Sequence, residues 1–398
     1  MSVNTMNFEQ SSSFLMELYK EATGQYPTLQ ITNTADFTSV ATTLLQMGYD
    51  PIIGAITQVI DKTIFSIRPY SQKFKNLQMD EQRWGSVTRK INFVDKALDT
   101  TDERLNLVDG QSIDHYEVKK PTILQTSFYG STVYSDHITI FKDQLESAFS
   151  GPEQFGRFMT GVMQNIADKL TQIREAEARG CLANFIIAKY GHDTTNAINV
   201  LQEYYNETGT TLTPASMFAP ANMTTFSRWL ASYMQTLTEK MSERSLKYHQ
   251  NVTGKEVMRH TEDRFMEKYL SANIANNIEK VAMSNLYNAE KLDNILTGAE
   301  KVTFWQNIDN PYSVQGTSTY MKADGTLDVD GSSVLVENIV GCLFDRDALG
   351  MVTRSTWSAT TPMNCSGGYW NTFYHFTQQV FNDFTENFVL LYAGTVTP

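Results

Sequence analysis

The chain has 398 residues, of which 41% are hydrophobic and 12% aromatic, so it can bury the cores of two or three domains. Its formal net charge of −12 argues against tight binding to nucleic acid, because neutralising the phosphate backbone supplies most of that affinity. No run of about 18 apolar residues occurs, and the polar start lacks a signal-peptide pattern, so we expect a cytosolic product without a membrane span.

The three cysteines, Cys181, Cys342 and Cys365, lie far apart in the sequence. An odd number with wide spacing predicts neither a disulfide framework nor a zinc site with paired ligands. We expect reduced and mostly buried thiols. The alternative is a reactive thiol at Cys365, but this would need a lowered thiol pKa and no neighbouring residue in the sequence indicates one.

Residues 1–70 contain two short amphipathic patterns. The first begins at Phe14 and is ended by Gly24, and the second begins at Asp36 and stops at Gly48. One interpretation is a small helical subdomain, and the other is an arm that docks on a neighbouring copy of the chain. Because the segment shows no core large enough to stand alone, we favour the arm.

From Ser71 to Lys120, acidic and basic residues alternate and aliphatic residues become scarce. Nine acids and nine bases leave this segment neutral. Alternating patterns at Val87–Phe93 and His115–Lys119 predict the two strands of a long projecting hairpin. Since an isolated two-stranded ribbon is marginally stable in water, it should lie on another surface. The alternative is a solvated loop whose salt bridges contribute roughly 0–1 kcal/mol each.

The clearest element in the sequence is a helix that starts near position 150. Ser150 is the predicted N-cap, Pro152 lies in the first turn and Glu153 has the capping-box position. Apolar residues then recur every three or four positions as far as Gly191. At 1.5 Å per residue this helix would be roughly 55 Å long. The alternative is a pair of helices broken near Gly180.

Residues 195–331 alternate helical patterns with polar loops and predict a compact mixed domain. The helical patterns are Thr224–Met241 and Phe265–Leu286, and the Gly- and Asp-rich stretch Lys322–Ser333 is a predicted turn. From Val334 onward, β-branched and aromatic residues predict strands that pack against the long helix.

The sequence contains none of the common catalytic motifs: HExxH, GxSxG, a Walker-type GxxxxGK(S/T), a strand-linked GxGxxG or a CxxC pair. The histidines are scattered, with no pair at helical ligand spacing: His115, His137, His192, His249, His260 and His375. Asp345 and Asp347 could form a catalytic carboxylate pair, but a tight turn between two strands accounts for them equally well. We therefore expect no enzyme activity and no catalytic, cofactor-binding or metal-binding residues; the alternative is a hydrolase with a dispersed active site.

Several stretches of the sequence carry a family resemblance. They are IRPYSQKFKNLQMDEQRWGSVTRKINFVDKALD, FYGSTVYSDHITIFKDQLESAFSGPEQFGRFMTGVMQNIADKL, CLFDRDALGMVTR and NTFYHFTQQVFNDFTENFVLLYAG. In this order they resemble the entry into the extended loop, the passage into the spine helix and the terminal strands of the major capsid (head) proteins of tailed double-stranded DNA bacteriophages. The resemblance implies an α+β chain with the Hong Kong ninety-seven-like capsid fold.

The same resemblance implies a division of the chain. Residues 1–70 would be an N-terminal arm and 71–135 an extended β-hairpin loop. Residues 136–194 would be a peripheral domain with the spine helix, and 195–331 an axial domain. Residues 332–398 would be peripheral-domain strands that return to the axial domain.

The implied function is that of a structural protein, which self-assembles into hexamers and pentamers of an icosahedral head that encloses double-stranded DNA. Its partners would be copies of itself, scaffold and portal proteins, and packaged DNA bound only non-specifically. It would be located in the virion after assembly in the host bacterial cytoplasm. About 70 residues precede the hairpin, which favours a separate scaffold or none. The alternative with the same fold is an encapsulin-like compartment shell.

Overall fold

A computed structural model of the chain describes residues 7–64, 74–79, 87–94, 107–112, 116, 118, 120–284 and 299–397. Within these residues the helices are α1 (Phe8–Thr23), α2 (Thr34–Gln46), α3 (Tyr49–Ile64), α4 (Lys142–Ala148), α5 (Pro152–His192), α6 (Val200–Thr208), α7 (Met223–Ser242) and α8 (Ala272–Ser284). The strands are β1 (Val87–Phe93), β2 (Ile123–Tyr129), β3 (Thr132–Phe141), β4 (Ala197–Asn199), β5 (Met266–Ser271), β6 (Ala299–Val302), β7 (Val314–Gly316), β8 (Thr319–Met321), β9 (Leu327–Val329), β10 (Val334–Val336), β11 (Ile339–Asp345), β12 (Leu349–Thr360), β13 (Tyr369–Asn382) and β14 (Phe388–Tyr392).

A five-stranded mixed sheet has the strand order β4-β14-β11-β5-β6. β14 and β5 pair antiparallel with the central β11, whereas the edge strands β4 and β6 pair parallel with β14 and β5. All residues of β11 except the last are buried. Because both faces of this sheet are covered, β11 and β14 are almost continuously apolar and do not alternate with polar residues.

The two faces of the five-stranded sheet pack in different cores. Phe344 and Phe388 face the C-terminal half of α5, where Phe185 stacks on Phe388. Leu343 and Val389 point the other way, into a core formed with α6, α7 and α8. The sheet is therefore the middle layer between two layers of helices.

A three-stranded antiparallel sheet, in the order β12-β13-β3, has the 14-residue β13 at its centre. Trp370, Tyr374 and Phe376 lie at alternate positions of β13 and are buried. They pack with α1, α2, α3 and the N-terminal half of α5 in a third core. Alternating burial is typical of a sheet with one covered face.

Helix α5 contributes to the cores of both sheets. It has 41 residues and spans roughly 60 Å. Phe155 lies in the core beside β13, and Phe185 lies in the core beside β11. The prediction of one long helix is confirmed, and the alternative of a break near Gly180 is wrong.

The predicted start of this helix is partly wrong. The N-cap is Gly151, and no side chain caps the helix. Ser150 lies one position before the N-cap, and its hydroxyl donates back to the carbonyl oxygen of Ser147 at 2.7 Å. Pro152 occupies the first helical position as predicted, and Glu153 lies in the first turn, where a negative charge suits the helix dipole.

The N-terminal helices pack on their own chain. Leu15 of α1, Phe37 of α2 and Ile52 of α3 are fully buried in one core with Phe155. The described residues of this segment therefore form helices that share a core with the rest of their own chain, and docking of the segment on a neighbouring copy stays a prediction. Sequence patterns do not predict this packing, because the packing partners lie more than 100 positions away. Gly24 ends α1 as predicted, in the left-handed conformation.

The predicted hairpin is present with a different second strand. β1 is confirmed at Val87–Phe93, but β2 pairs with all seven of its residues, so the predicted partner His115–Lys119 is wrong. Of that stretch, residues 115, 117 and 119 lie outside the described residues. β2 is the better partner because it brings Leu124 and Phe128 to the body of the protein, where Leu124 is buried and Phe128 stacks on another ring.

Residues 195–331 contain one confirmed helix and one corrected element. α7 confirms the pattern Thr224–Met241. The pattern Phe265–Leu286 divides into β5 and then α8, because Tyr269 and Leu270 are buried in the cores on opposite sides of the sheet. The stretch Lys322–Ser333 contains the turn between β8 and β9. The five-stranded sheet combines strands from 195–331 with β11 and β14 from 332–398.

Candidate functional site

The hairpin formed by β1 and β2 has two faces of opposite character. Thr88, Lys90 and Asn92 of β1 are half-buried against the rest of the chain, and the alternate residues are exposed. Two of these alternate residues, Ile91 and Phe93, expose 57% and 68% of their surface. This is the reverse of a usual surface strand, which buries its apolar side and exposes its polar side.

The strand register extends the exposed apolar surface across both strands. Phe93 lies opposite Ile123, and Val87 lies opposite Tyr129. All four side chains are exposed. We define the outer hairpin face as these four residues together with Ile91. The exposed polar residues Arg89, Gln125 and Ser127 lie between the two ends of this face. Five exposed apolar side chains on one face of a two-stranded hairpin indicate an interaction with another surface.

Lys90 connects the inner side of β1 to the turn between β13 and β14. Its Nζ lies 3.0 Å from Asp383 Oδ2 and 2.5 Å from Glu386 Oε1. The Asp383 side chain is 1% exposed and the Lys90 side chain 23%, so solvent screens this pair only weakly. Burial alone would lower the pKa of Lys90, but the two carboxylates outweigh it and raise that pKa above its usual value.

Arg259 is the second cation at this position, and it comes from the loop between α7 and β5. Its Nη1 lies 3.0 Å from Glu386 Oε1 and donates to Asn92 Oδ1 at 3.1 Å. Its Nε donates to the carbonyl oxygen of Thr385 at 2.9 Å. Because the guanidinium group is planar and has donors on several sides, it holds the hairpin and the turn in one geometry.

Two further contacts fix the hairpin on the three-stranded sheet. Arg354 of β12 donates from Nη2 to the hydroxyl of Thr88 at 2.8 Å and also to the side chain of Gln379. Phe128 of β2 stacks on Phe381 of β13, with ring centroids 4.5 Å apart. An aromatic pair of this kind contributes about 0.5–1.5 kcal/mol beyond its buried area.

We define the charged junction as Lys90, Arg259, Asp383 and Glu386. Removing one partner from a buried ion pair costs about 3–5 kcal/mol, whereas an exposed pair contributes roughly 0–1 kcal/mol. The charged junction therefore stabilises one orientation of the hairpin on the body of the protein. That orientation determines the direction in which the outer hairpin face points.

The charged junction is not predicted by sequence patterns, because Lys90 and Asp383 are 293 positions apart. One local signal exists: Asp383 and Glu386 are the only acids in a C-terminal region, residues 369–398, that is rich in aromatic and apolar residues. Buried acids in such a region require cations, but their source cannot be identified from the sequence.

The residues considered as possible chemical sites are dispersed. Asp345 and Asp347 form a turn, in which Asp345 Oδ1 accepts a hydrogen bond from the backbone N–H of Asp347 at 2.9 Å. His375 stacks on Trp357 within the three-stranded sheet. Across the part of the chain that the structure describes, no three His, Cys, Asp or Glu side chains come together as metal ligands. The expectation of no catalytic, cofactor-binding or metal-binding residues stays a prediction.

The thiols differ in exposure. Cys181 and Cys342 are buried and Cys365 is exposed, and all three are free. Burial raises the pKa of both buried thiols, that of Cys181 to about 12. The prediction of reduced and mostly buried cysteines is confirmed. Separately, none of the helices among the described residues is long and apolar enough to cross a membrane.

Comparison with known proteins gives a family and a fold. A model of the family described as Phi29-like phage major capsid protein matches residues 15–392. A chain in the capsid structure of Staphylococcus phage Andhra aligns with a TM-score of 0.54 at 10% identity, covering 82% of this chain and 85% of that chain. A chain in the structure of the head fiber and inner core protein gp22 of native bacteriophage P68 aligns with a TM-score of 0.51 at 10% identity, covering 81% and 85%. No curated protein matches the sequence.

Proposed function

Because the chain belongs to the Phi29-like phage major capsid protein family, it is a capsid-forming structural protein, and we propose that its outer hairpin face binds a neighbouring copy in the shell. The α+β, Hong Kong ninety-seven-like fold agrees with the two capsid-related structures. The chain is a component of the virion and associates with copies of itself. Neither the encapsulin-like shell nor the hydrolase is favoured by any of these observations.

The observation that carries the proposal is the reversed polarity of β1 in the hairpin. Its charged side is held on its own chain by Lys90, while Ile91 and Phe93 remain exposed. Burying apolar surface stabilises by roughly 25 cal/mol per Å², so association with a complementary surface is favourable. A hairpin on one copy that meets the body of the next gives head-to-tail contacts, which close into rings.

The finer features of assembly are part of the same proposal. The rings are hexamers and pentamers of an icosahedral head that encloses double-stranded DNA, and the head forms in the host bacterial cytoplasm with scaffold and portal proteins as partners. DNA is contacted only non-specifically, in keeping with a net charge of −12. The protein acts through its geometry and carries out no catalysis.

The proposed division of the chain is the one that the family resemblance implies. Residues 1–70 are the N-terminal arm, 71–135 the extended loop and 136–194 the peripheral domain with the spine helix. Residues 195–331 are the axial domain, and 332–398 return to it from the peripheral domain. β11 and β14 support this last assignment, because they share a sheet with β4, β5 and β6.

Substitution within the outer hairpin face tests the proposal. Ile91→Asp places a charge on the apolar surface and should leave unassembled subunits or rings, scored by electron microscopy and sedimentation. Gln125→Asp is the matched control, because Gln125 lies directly opposite Ile91 and is exposed. It adds the same charge without removing apolar surface, so shells should still form. Shells from Ile91→Asp at the wild-type yield would contradict the proposal.

A further inference from the structure

His249 occupies a buried position in the loop between α7 and β5, where it is 5% exposed. Its Nδ1 lies 3.2 Å from Asn387 Oδ1, and its Nε2 lies 3.1 Å from Asn251 Oδ1. A neutral imidazole has a single N–H, so it can donate to only one of these two oxygens. The other nitrogen then faces an acceptor with its lone pair.

The two amides cannot improve this arrangement by turning around. Asn251 Nδ2 already donates to the carbonyl oxygen of Leu246 at 2.8 Å. Asn387 Nδ2 donates to the hydroxyl of Thr261 at 3.1 Å, and that hydroxyl donates its own hydrogen to Asp345 Oδ2 at 2.7 Å. Since these acceptors fix both amides, both ring nitrogens face oxygen atoms, and a neutral ring leaves one contact without a hydrogen.

Protonation would satisfy both amides but would add a cation to a buried site. The charged and titratable groups around the ring are Lys189, His192 and Asp193 of α5, Lys247 and Arg259 of its own loop, Lys322 beside β8, Asp345 of β11 and Glu386 of the β13–β14 turn. Asp193 is paired with Lys189, and Glu386 is paired with Arg259. Burial lowers the pKa of His249, and Arg259 and Lys189 lower it further; these effects exceed the opposing hydrogen bonds.

We propose that His249 is a pH-sensitive contact at the base of the hairpin: its neutral form keeps the α7–β5 loop on the β13–β14 turn, and proton uptake in acid separates the two. We call the observed contact of the α7–β5 loop with the turn the closed structure. In it, each protonation state of His249 has an unfavourable free-energy contribution. The neutral ring lacks one hydrogen bond, and the cation lacks solvent and faces two other cations.

The loop that His249 holds is the loop that carries Arg259. Two backbone bonds join it to the turn: the N–H of Gln250 donates to the carbonyl oxygen of Phe384, and the N–H of Phe388 donates to that of Tyr248, each at 2.9 Å. Displacing this loop would remove Arg259 from the charged junction and weaken one orientation of the hairpin. The consequence for assembly rests on the proposed role of the outer hairpin face, whereas the pH-sensitive contact itself does not.

The lowered pKa of His249 determines whether the loop opens in acid or in base. The pKa of His249 in the closed structure is below its usual 6.5, so the opened loop binds the proton more tightly. The closed loop is therefore fully stable above about pH 6.5. Below that value its opening equilibrium increases about tenfold per pH unit, until the lower pKa of the closed form is reached.

Hydrogen exchange in the full-length, unassembled protein tests the inference. Exchange at the imidazole C2 position, followed by mass spectrometry from pH 4.5 to 8, gives the titration midpoint of each histidine. His249 should titrate below 6.5, the ordinary histidine value, and His260, which is exposed in the same loop, is the control position for substitution. Backbone exchange of the loop, the turn and β1, corrected for its intrinsic pH dependence, should rise through the same range. A midpoint for His249 at or above 6.5, or unchanged backbone exchange, would overturn the inference.

Two variants separate this contact from general acid sensitivity. His249→Gln should remove the acid-dependent step in backbone exchange, whereas the control His260→Gln should keep it. Asn251→Asp places a carboxylate at Nε2 and should raise the midpoint of His249 above that of the unsubstituted protein, which keeps the test decisive if His249→Gln does not fold. Persistence of the step in His249→Gln, or no change in midpoint with Asn251→Asp, would overturn the inference. Either result would leave the shell-forming role intact, since electron microscopy scores that role separately.

Discussion

Replacing Lys90 with methionine would test the charged junction. Lys90→Met keeps much of the aliphatic volume of the side chain and removes the cation that neutralises Asp383 and Glu386. Both carboxylates stay buried, with side chains 1% and 8% exposed. The substitution therefore separates the effect of charge from the effect of packing.

The contacts of the two carboxylates determine how much stability Lys90→Met should remove. Breaking a buried ion pair from one side costs about 3–5 kcal/mol. Each carboxylate retains another partner, since Asp383 accepts from Thr385 and Glu386 pairs with Arg259. We therefore expect the lower end of that range, about 3 kcal/mol, which corresponds to roughly a 100-fold change in an equilibrium constant. The control Arg157→Met removes an exposed pair on α5 and should cost less than about 1 kcal/mol.

Urea unfolding of the purified subunit gives the free energies, and hydrogen exchange shows whether β1 is the segment that loosens. The carboxylates raise the pKa of Lys90 above 10.5, so its contribution is fully present below about pH 10.5 and is lost as the pH rises through the folded-state pKa. A double-mutant cycle with Glu386→Gln should give a coupling of at least 1 kcal/mol. Additive effects of the two substitutions would refute the reasoning.

Two glycines and the exposed thiol give further predictions. Gly341→Ala should destabilise the subunit by about 1–3 kcal/mol in urea unfolding, because the new Cβ would lie 2.6 Å from the carbonyl oxygen of Tyr269; unchanged stability would contradict this packing. Gly180→Ala should stabilise it by up to about 1 kcal/mol, since the position is helical and open; destabilisation would be the contrary result. A thiol reagent at neutral pH should label Cys365 in the folded protein and the two buried cysteines only after unfolding; labelling of all three in the native state would disagree with the structure.

Sequence patterns predict those elements that depend on residues close together in the chain. The long helix follows from apolar residues at intervals of three and four, and its 41 residues needed no knowledge of distant partners. The predicted cap is wrong by one position, because the helix begins after Gly151 and Ser150 lies in the preceding turn, bonded to Ser147. The packing of Leu15 and Phe37 with Phe155 is not predicted, because sequence alone does not indicate such a remote contact.

The hairpin likewise has features that the local sequence predicts and others that depend on residues far away in the chain. The period of two in β1 separates Thr88, Lys90 and Asn92 from Ile91 and Phe93 on sequence alone. Which side faces the body depends on remote carboxylates. Without them, the apolar side would be expected to turn inward and the charged side outward. The sequence therefore predicts that β1 has an apolar and a polar side, but only the structure shows which side is exposed.

A reconstruction of the purified, assembled protein by electron microscopy would test the central claim most directly. We expect closed shells in which Ile91 and Phe93 of each copy are buried on a neighbour, while Lys90 remains paired with Asp383 of its own chain. Shells in which these two apolar side chains stay exposed to solvent, or a preparation that contains only monomers, would contradict the account.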